Sequence, residues 1–241
     1  MMDPGLYYIF FLSLLPIFLI IAMVIAFIPH MVTRNAEGRD VSVRYLIKLV
    51  VIFLLWMVSQ ILQIYFYFII ANFQQVNYII AENILVWKIG GFLNAMGIVL
   101  AIYIIEREVI VNEFRYIFAI IPLALGIIQL VYPISTLLEF EVLSYISTNS
   151  GLTILCLPFM FIIAAFRIPT IKWELGFIAL GYSLMCLGNF IMHNFYRTGF
   201  TTGLDFNIQH TIYTGILITG LLFLYKGYIY SVPLPKFLKP K

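Results

Sequence analysis

The sequence predicts an all-α membrane protein, a bundle of seven transmembrane helices with its N-terminus outside and its C-terminus inside. Three observations carry this expectation. Of 241 residues, 63% are hydrophobic and only 10% charged, with a mean hydropathy of +1.04, whereas soluble domains carry roughly 25% charged residues. The apolar residues fall in runs long enough to cross a hydrocarbon layer of ~30 Å at ~1.5 Å per residue. The basic residues fall on one side of those runs. Arg34, Arg39, Arg44 and Lys48 flank the first connection, Arg107 and Arg115 the third, Arg167 and Lys172 the fifth, and Lys226, Lys236, Lys239 and Lys241 follow the last span. Only Lys88 and Arg197 belong to the other side, so the positive-inside rule sets the orientation.

Taken in order, helix 1 is expected over residues 7–28 with Pro16 inside it, helix 2 over 45–71 and helix 3 over 84–105. Helix 3 organises the rest, because Gly90, Asn94, Gly97 and Ala101 share one face, a small-residue stripe that lets another helix approach closely. Helix 4 is expected over 116–138, with Pro122, Gly126, Gln129 and Pro133 on one face. LEFEVLSYISTNS reads as a loop, followed by helix 5 over 151–166, helix 6 over 175–195 and helix 7 over 209–230. Spans and short connections use almost the whole length, so one polytopic domain, 1–241, is expected. MMDPGLYY carries Asp3 where a signal peptide has basic residues, and the first helix is expected to remain.

A net charge of +3 would suit an anionic partner, but here the basic residues report topology, and no nucleic-acid partner is expected. Cys156 and Cys186 fall inside spans and read as small apolar residues. No phosphate loop, G-x-S-x-G elbow or H-E-x-x-H is present, so neither catalytic residues nor a cofactor are expected. His193 and His210 bracket Asp205 without a zinc spacing, and no metal is expected. Glu106, Glu108 and Glu113 beside Arg107 and Arg115 read as a solvated, paired boundary, and Lys88 as a side chain snorkelling to headgroups.

Polar side chains are costly in a bilayer, and their depth therefore points to function. Trp56, Gln60, Gln63 and Tyr67 share a face of helix 2; Tyr182, Asn189, His193 and Tyr196 a face of helix 6; His210, Tyr213 and Thr214 a face of helix 7. With Gln129 of helix 4 and Asn94 at mid-depth of helix 3, they sit in the outer half, and the inner half is drier. The expected ligand-binding set is thus Gln60, Gln63, Asn94, Gln129, Asn189, His193, His210, Tyr213 and Thr214, around an outward-facing pocket for a small molecule or lipid.

The basic loop after helix 1, Trp56 in helix 2 and the Trp87-Lys88 pair opening helix 3 resemble the seven-helix membrane sensor modules that precede prokaryotic histidine kinases. That resemblance covers about half of the chain and implies a receptor or sensor. The tail VPLPKFLKPK is too short and Pro-rich to fold alone, so a cytoplasmic protein partner is expected at the inner loops MVTRNAEGRDVSVR and EREVIVNEFR. Microbial rhodopsins share the layout but carry a retinal-linking lysine where this chain reads GILITG. A transporter built from helices 1–3 and 5–7, or a structural subunit of a membrane complex, are the alternatives. The orientation has a direct check. In a background lacking both native cysteines, single cysteines at Glu37 and Lys239 should resist an impermeant thiol reagent in intact cells while one at Asp205 reacts; the opposite pattern inverts the topology.

Overall fold

The computed structural model describes residues 4–37, 40–72, 74–108, 116–198 and 206–231. Among the described residues there are α1 (Pro4–Ala36), α2 (Asp40–Ile64), α3 (Ala81–Glu108), α4 (Ile117–Val131), α5 (Leu137–Leu152), α6 (Cys156–Arg167), α7 (Lys172–Thr198) and α8 (Phe206–Ser231), and no strand. A π-helical turn, Tyr65–Ile70, continues α2, and 3-10 turns lie at Gln75–Ile79, Thr153–Leu155 and Pro169–Ile171. Five stretches are long and apolar enough to cross a membrane: Tyr7–Ala36, Val43–Ile70, Ala81–Arg107, Pro169–Ile191 and Asn207–Tyr230. Ile117–Val131 and Thr153–Arg167 are shorter apolar helices. The outward face agrees with a lipid setting. On α1, Phe11, Phe18, Ile25 and Val32 recur every seventh residue and are each 58% to 64% exposed, a stripe that water would not tolerate on so long a helix. The chain is an all-α, multi-pass membrane protein.

The helices close into a ring in which α1 packs on α2 and α8, α2 on α3, α3 on α6, α6 on α7, and α7 on α8; α4 rests outside α3, and α5 packs on α3, α4 and α7. The end of the bundle where α1, α3 and α8 begin is its head, and the opposite end is its foot. The middle and foot are filled by an aromatic core in which Trp56 meets Tyr182 edge-on at 6.1 Å, Phe161 stacks on Tyr182 at 5.8 Å, and the Tyr182 and Tyr228 hydroxyls bond at 2.5 Å. A second cluster fills the head, where Phe140 of α5 lies 5.1 Å from both Tyr78 and Trp87.

The small-residue stripe of α3 does what its spacing predicts. A Cβ on Gly97 would collide with the Trp56 indole, and one on Gly90 would fall 2.9 Å from Gln63 Nε2. A further pair serves α4: a Cβ on Gly91 would strike the Gln129 amide, and one on Gly126 would come 2.8 Å from Ala95 Cβ. The α7–α8 seam brings backbone against backbone. There a Cβ on Gly181 would lie 2.8 Å from the Gly220 carbonyl oxygen, and one on Gly227 would lie 2.8 Å from the Glu174 oxygen.

Helix 4 is shorter than its sequence suggests. It ends at Val131, because Pro133 biases Tyr132 to extended backbone (φ −60°, ψ 126°) and cannot itself donate to a helix. A new helix, α5, then occupies much of the stretch read as a loop. Its start is a capping box: the Glu139 amide donates to Thr136 Oγ1 (3.2 Å), and Glu139 Oε2 accepts from the amides of Ser135 (2.6 Å) and Thr136 (2.9 Å). Those two amides hold the Glu139 carboxyl below the usual carboxylate range. Of the face expected on helix 4, Pro122, Gly126 and Gln129 are buried together with Ala119, whereas Pro133 lies beyond the helix.

Lys88 and Glu106 also differ from their sequence reading. Lys88 is buried and donates from Nζ to the Tyr132 carbonyl at the end of α4, so it does not snorkel. Glu106 is fully buried, and its Oε1 accepts the Tyr116 amide at 2.5 Å, so it is no solvated boundary. Tyr116 takes a left-handed conformation (φ 61°) and stacks on Tyr103 at 5.2 Å. Arg39, Glu113, Arg115, Asp205, Lys236, Lys239 and Lys241, on which much of the orientation rests, lie outside the described residues.

The glycine seams yield a paired test. Gly227→Ala should destabilise by roughly 1–3 kcal/mol, since backbone atoms of α7 cannot yield to a new methyl group. Gly215→Ala, where nothing lies within 4 Å, should leave the thermal midpoint unchanged or raise it. Thermal unfolding of both variants in detergent checks the contrast.

Candidate functional site

The polar residues of α2 are set by its helical repeat, in which Ser59, Gln63 and the π-turn residue Tyr67 recur every four residues beside α3. Ser59 Oγ donates to the Gly90 carbonyl (2.8 Å), Gln63 Nε2 to the Trp87 carbonyl (3.2 Å), and Trp87 Nε1 to the Tyr67 hydroxyl (2.9 Å). Gly90 makes the approach short enough for the first of these bonds. The π turn alters the end of α2. Its wider backbone ring, closed by the Ala71 amide on the Phe66 carbonyl at 2.8 Å, buries Phe66, Tyr67 and Phe68 in succession, which an α-helix cannot do with one neighbouring face.

Where α2 meets α1 and α8, five polar side chains converge, two of them also bonded to α3: Ser13 of α1, Gln60 and Gln63 of α2, Tyr67 of the π turn, and Tyr213 of α8. Pro16 and Ile64 complete the walls of a crevice of about 10 Å³, a volume that matches about one water molecule. Beside it, Ser13 Oγ lies 2.8 Å from His210 Nε2 and donates to the Ile9 carbonyl at 2.8 Å. With the hydroxyl proton committed to Ile9, Ser13 Oγ is left to accept from the imidazole Nε2.

The structure brings together part of the expected set. Gln60, Gln63 and Tyr213 meet at the crevice, and His210 adjoins it through Ser13. Thr214 is buried on α8 one turn from His210. Asn94 is half-buried on α3 between Gly90 and Gly97 in register, and Asn189 is half-buried on α7 beside Gly188, which faces Tyr213. Gln129 does not join them. It packs against Gly91 where α4 meets α3, fully buried, and neither of its amide atoms has a hydrogen-bond partner. His193 belongs to α7, and its side chain lies outside the described residues. The third wall comes from α1, through Ser13 and Pro16, a helix on which the sequence marks no site residue.

A second concavity lies on the outside of the same α1–α8 seam, a groove of about 440 Å³ lined by Tyr8, Asn207, Ile208, Thr211 and Ile212. Tyr8 and Thr211 bridge it with a 3.1 Å hydrogen bond between their hydroxyls. No group of three or more His, Cys, Asp or Glu able to hold a metal occurs among the described residues, and both cysteines are free thiols.

Comparison of the chain with protein-family models, with curated proteins and with solved structures gave no match.

Proposed function

We propose that this chain is a receptor- or sensor-like membrane protein whose responsive site is the polar crevice between α1, α2 and α8. In this reading α1, α2, α3, α4, α6, α7 and α8 all cross the bilayer, with the head outside and the foot inside. At 15 residues α4 measures roughly 22 Å along its axis, so it crosses where the layer thins around it. The convergence of Ser13, Gln60, Gln63, Tyr67 and Tyr213 from three helices carries the proposal. Polar side chains at that depth are costly, and isolated interhelical hydrogen bonds do not need so many of them in one place.

The crevice is closed, so a ligand acts by favouring an arrangement in which α1 stands away from α2 and α8. Two features on its wall lend themselves to this: Pro16 interrupts the hydrogen-bond ladder of α1, and the π turn interrupts that of α2. A partner at the foot would sense the same equilibrium by linkage. Those interruptions also support a second reading, transport of a small solute, because broken helices near mid-membrane mark many transporter sites.

Purified protein screened against metabolites and lipids should show a ligand that raises the thermal midpoint, by stabilising the fold by ~2.7 kcal/mol at a hundred times Kd. Gln60→Leu, which touches none of the bonds that Ser59, Gln63 and Tyr67 make to α3, should abolish that shift without lowering the ligand-free midpoint. A shift indifferent to Gln60→Leu and Tyr213→Phe rejects the crevice as the site. Flux of the same ligand in proteoliposomes separates the readings: a receptor shows none, and a transporter loses it with Gln60→Leu.

A further inference from the structure

The foot of the α7–α8 seam carries two cations that the crevice does not use. Their depth is set by the course of the chain. α6 ends at Arg167, the 3-10 turn Pro169–Ile171 reverses the direction, and α7 begins at Lys172, so Lys172 and Trp173 stand at the edge of the foot. Across the seam a Cβ on Gly227 would meet the Glu174 oxygen and Ile178, and one on Gly220 would meet the Gly181 oxygen, so the helices run antiparallel in register and the last turn of α8 is level with the first turn of α7. Trp173 and Tyr230, 72% and 62% exposed, mark this edge on the outward side, as aromatic side chains do at the level of lipid headgroups.

Lys226 lies one turn back from Tyr230 on α8. A lysine so placed ordinarily extends past the end of its helix to water. Here its Nζ crosses the seam and sits 4.5 Å over the Phe177 ring, which in turn stacks on Phe223 at 5.7 Å. Lys172 Nζ sits 5.4 Å over the Trp173 ring. Trp173 and Phe177 are four residues apart on one face of α7, so both ammonium groups are seated on a single aromatic strip, at points about 6 Å apart along the helix at ~1.5 Å per residue. A ring attracts a cation through its face without accepting its hydrogen bonds as an anion would, and the outer N–H groups of both lysines remain available to donate. Neither lysine pairs with a carboxylate among the described residues, the neighbouring Glu174 included.

Further from the edge the same face turns apolar. Leu180, three residues beyond Phe177, and Leu222, four residues before Lys226, are both exposed. The positive-inside rule asks only that basic residues lie at the foot; it does not seat two of them on one aromatic strip with a leucine track leading away. That sequence of cations and then hydrocarbon, in order of depth, complements a negative head on an acyl chain. A soluble anion would leave the leucines unused, and a zwitterionic head would bring its own cation towards the lysines. We infer that this face binds an anionic phospholipid, its phosphate between Lys172 and Lys226 and an acyl chain along Leu180 and Leu222. The site depends neither on the crevice nor on which leaflet the foot faces.

The test uses the full chain reconstituted in nanodiscs of phosphatidylglycerol and phosphatidylcholine in equal parts with matched chains, the retained lipids being counted by native mass spectrometry after release from the disc. Phosphatidylglycerol should be retained in preference to phosphatidylcholine. Lys226→Gln and Lys172→Gln should each lower its retention about fivefold, the change that ~1 kcal/mol per lysine near a membrane surface implies, and Lys226→Arg should preserve it. Arg44→Gln, which removes an exposed charge from the foot of α2, should leave retention unchanged. Glycerol phosphate, which offers the charge without the chains, should not compete. Equal retention of the two lipids, retention indifferent to both lysine substitutions, an equal loss with Arg44→Gln, or displacement by glycerol phosphate would overturn the proposal; the third of these would show a diffuse attraction to any basic foot residue, and the fourth a site for soluble anions.

Discussion

α3 carries a charge of each sign at the two places where it meets the ends of α4. Lys88 donates to the Tyr132 carbonyl, at the end where unsatisfied carbonyls make a helix terminus negative, and Glu106 accepts the Tyr116 amide, at the end where free amides make it positive. Buried against α3, those end groups have no water to turn to, so a short peripheral helix needs partners supplied by its neighbour. The separation fits: Lys88 and Glu106 lie about 27 Å apart along α3, and Tyr116 and Tyr132 about 24 Å apart along α4, at ~1.5 Å per residue. Between the clamps, Gly91 and Gly126 bring the helices close, even though this leaves the Gln129 amide buried without a partner. With one side of α3 committed to α4, its Gly90–Gly97 face is presented to α2, and Gln63 and Tyr67, bonded to Trp87 of α3, are held where they line the crevice.

How much of this was legible depended on whether the information was local. Spans showed as long apolar runs, and the α3 glycines and the α2 polar stripe showed through their helical spacing, which survives any tertiary arrangement. α5 was missed although its signal was local too: Thr136 and Glu139 form a capping box directly after Pro133, at the start of a stretch read as a loop. The partners of Lys88 and Glu106 were beyond reach for another reason. They are main-chain groups, which every residue carries, so no residue type marks them. Within the site, Gln60, Gln63 and Tyr213 could be found from their types and faces. Ser13 could not, as a lone serine in an apolar helix has a ready local acceptor four residues back and reads as self-satisfied. Gln129 looked equivalent to the other glutamines, and only the packing places it on the opposite side of α3.

The seams of the ring differ in kind. α7 and α8 meet through glycine against backbone, with carbonyl oxygens within 3.0 Å of absent Cβ positions, and separating them would forfeit dense contact over several turns. α1 meets α8 at the head through the Tyr8–Thr211 and Ser13–His210 bonds, and such bonds between membrane helices are worth only ~0.6 kcal/mol each on average. The ring therefore has a stiff side and a yielding side. The crevice and the groove both lie on the yielding one, where a change in occupancy costs least to transmit.

The π turn at Tyr65–Ile70 bears on how this chain tolerates change in length. A π turn holds more residues over the same rise than an α turn, so the bundle fits one extra residue there by widening one loop of backbone, without shifting the register of α2 below it. Loss of a single residue from that segment would restore ordinary helix geometry and turn Tyr67 away from Trp87 and from the crevice. An insertion elsewhere in α2 would instead rotate Gln60 and Gln63 relative to the foot of the same helix. The crevice thus depends on the length of the chain near the end of α2 as much as on which side chains line it.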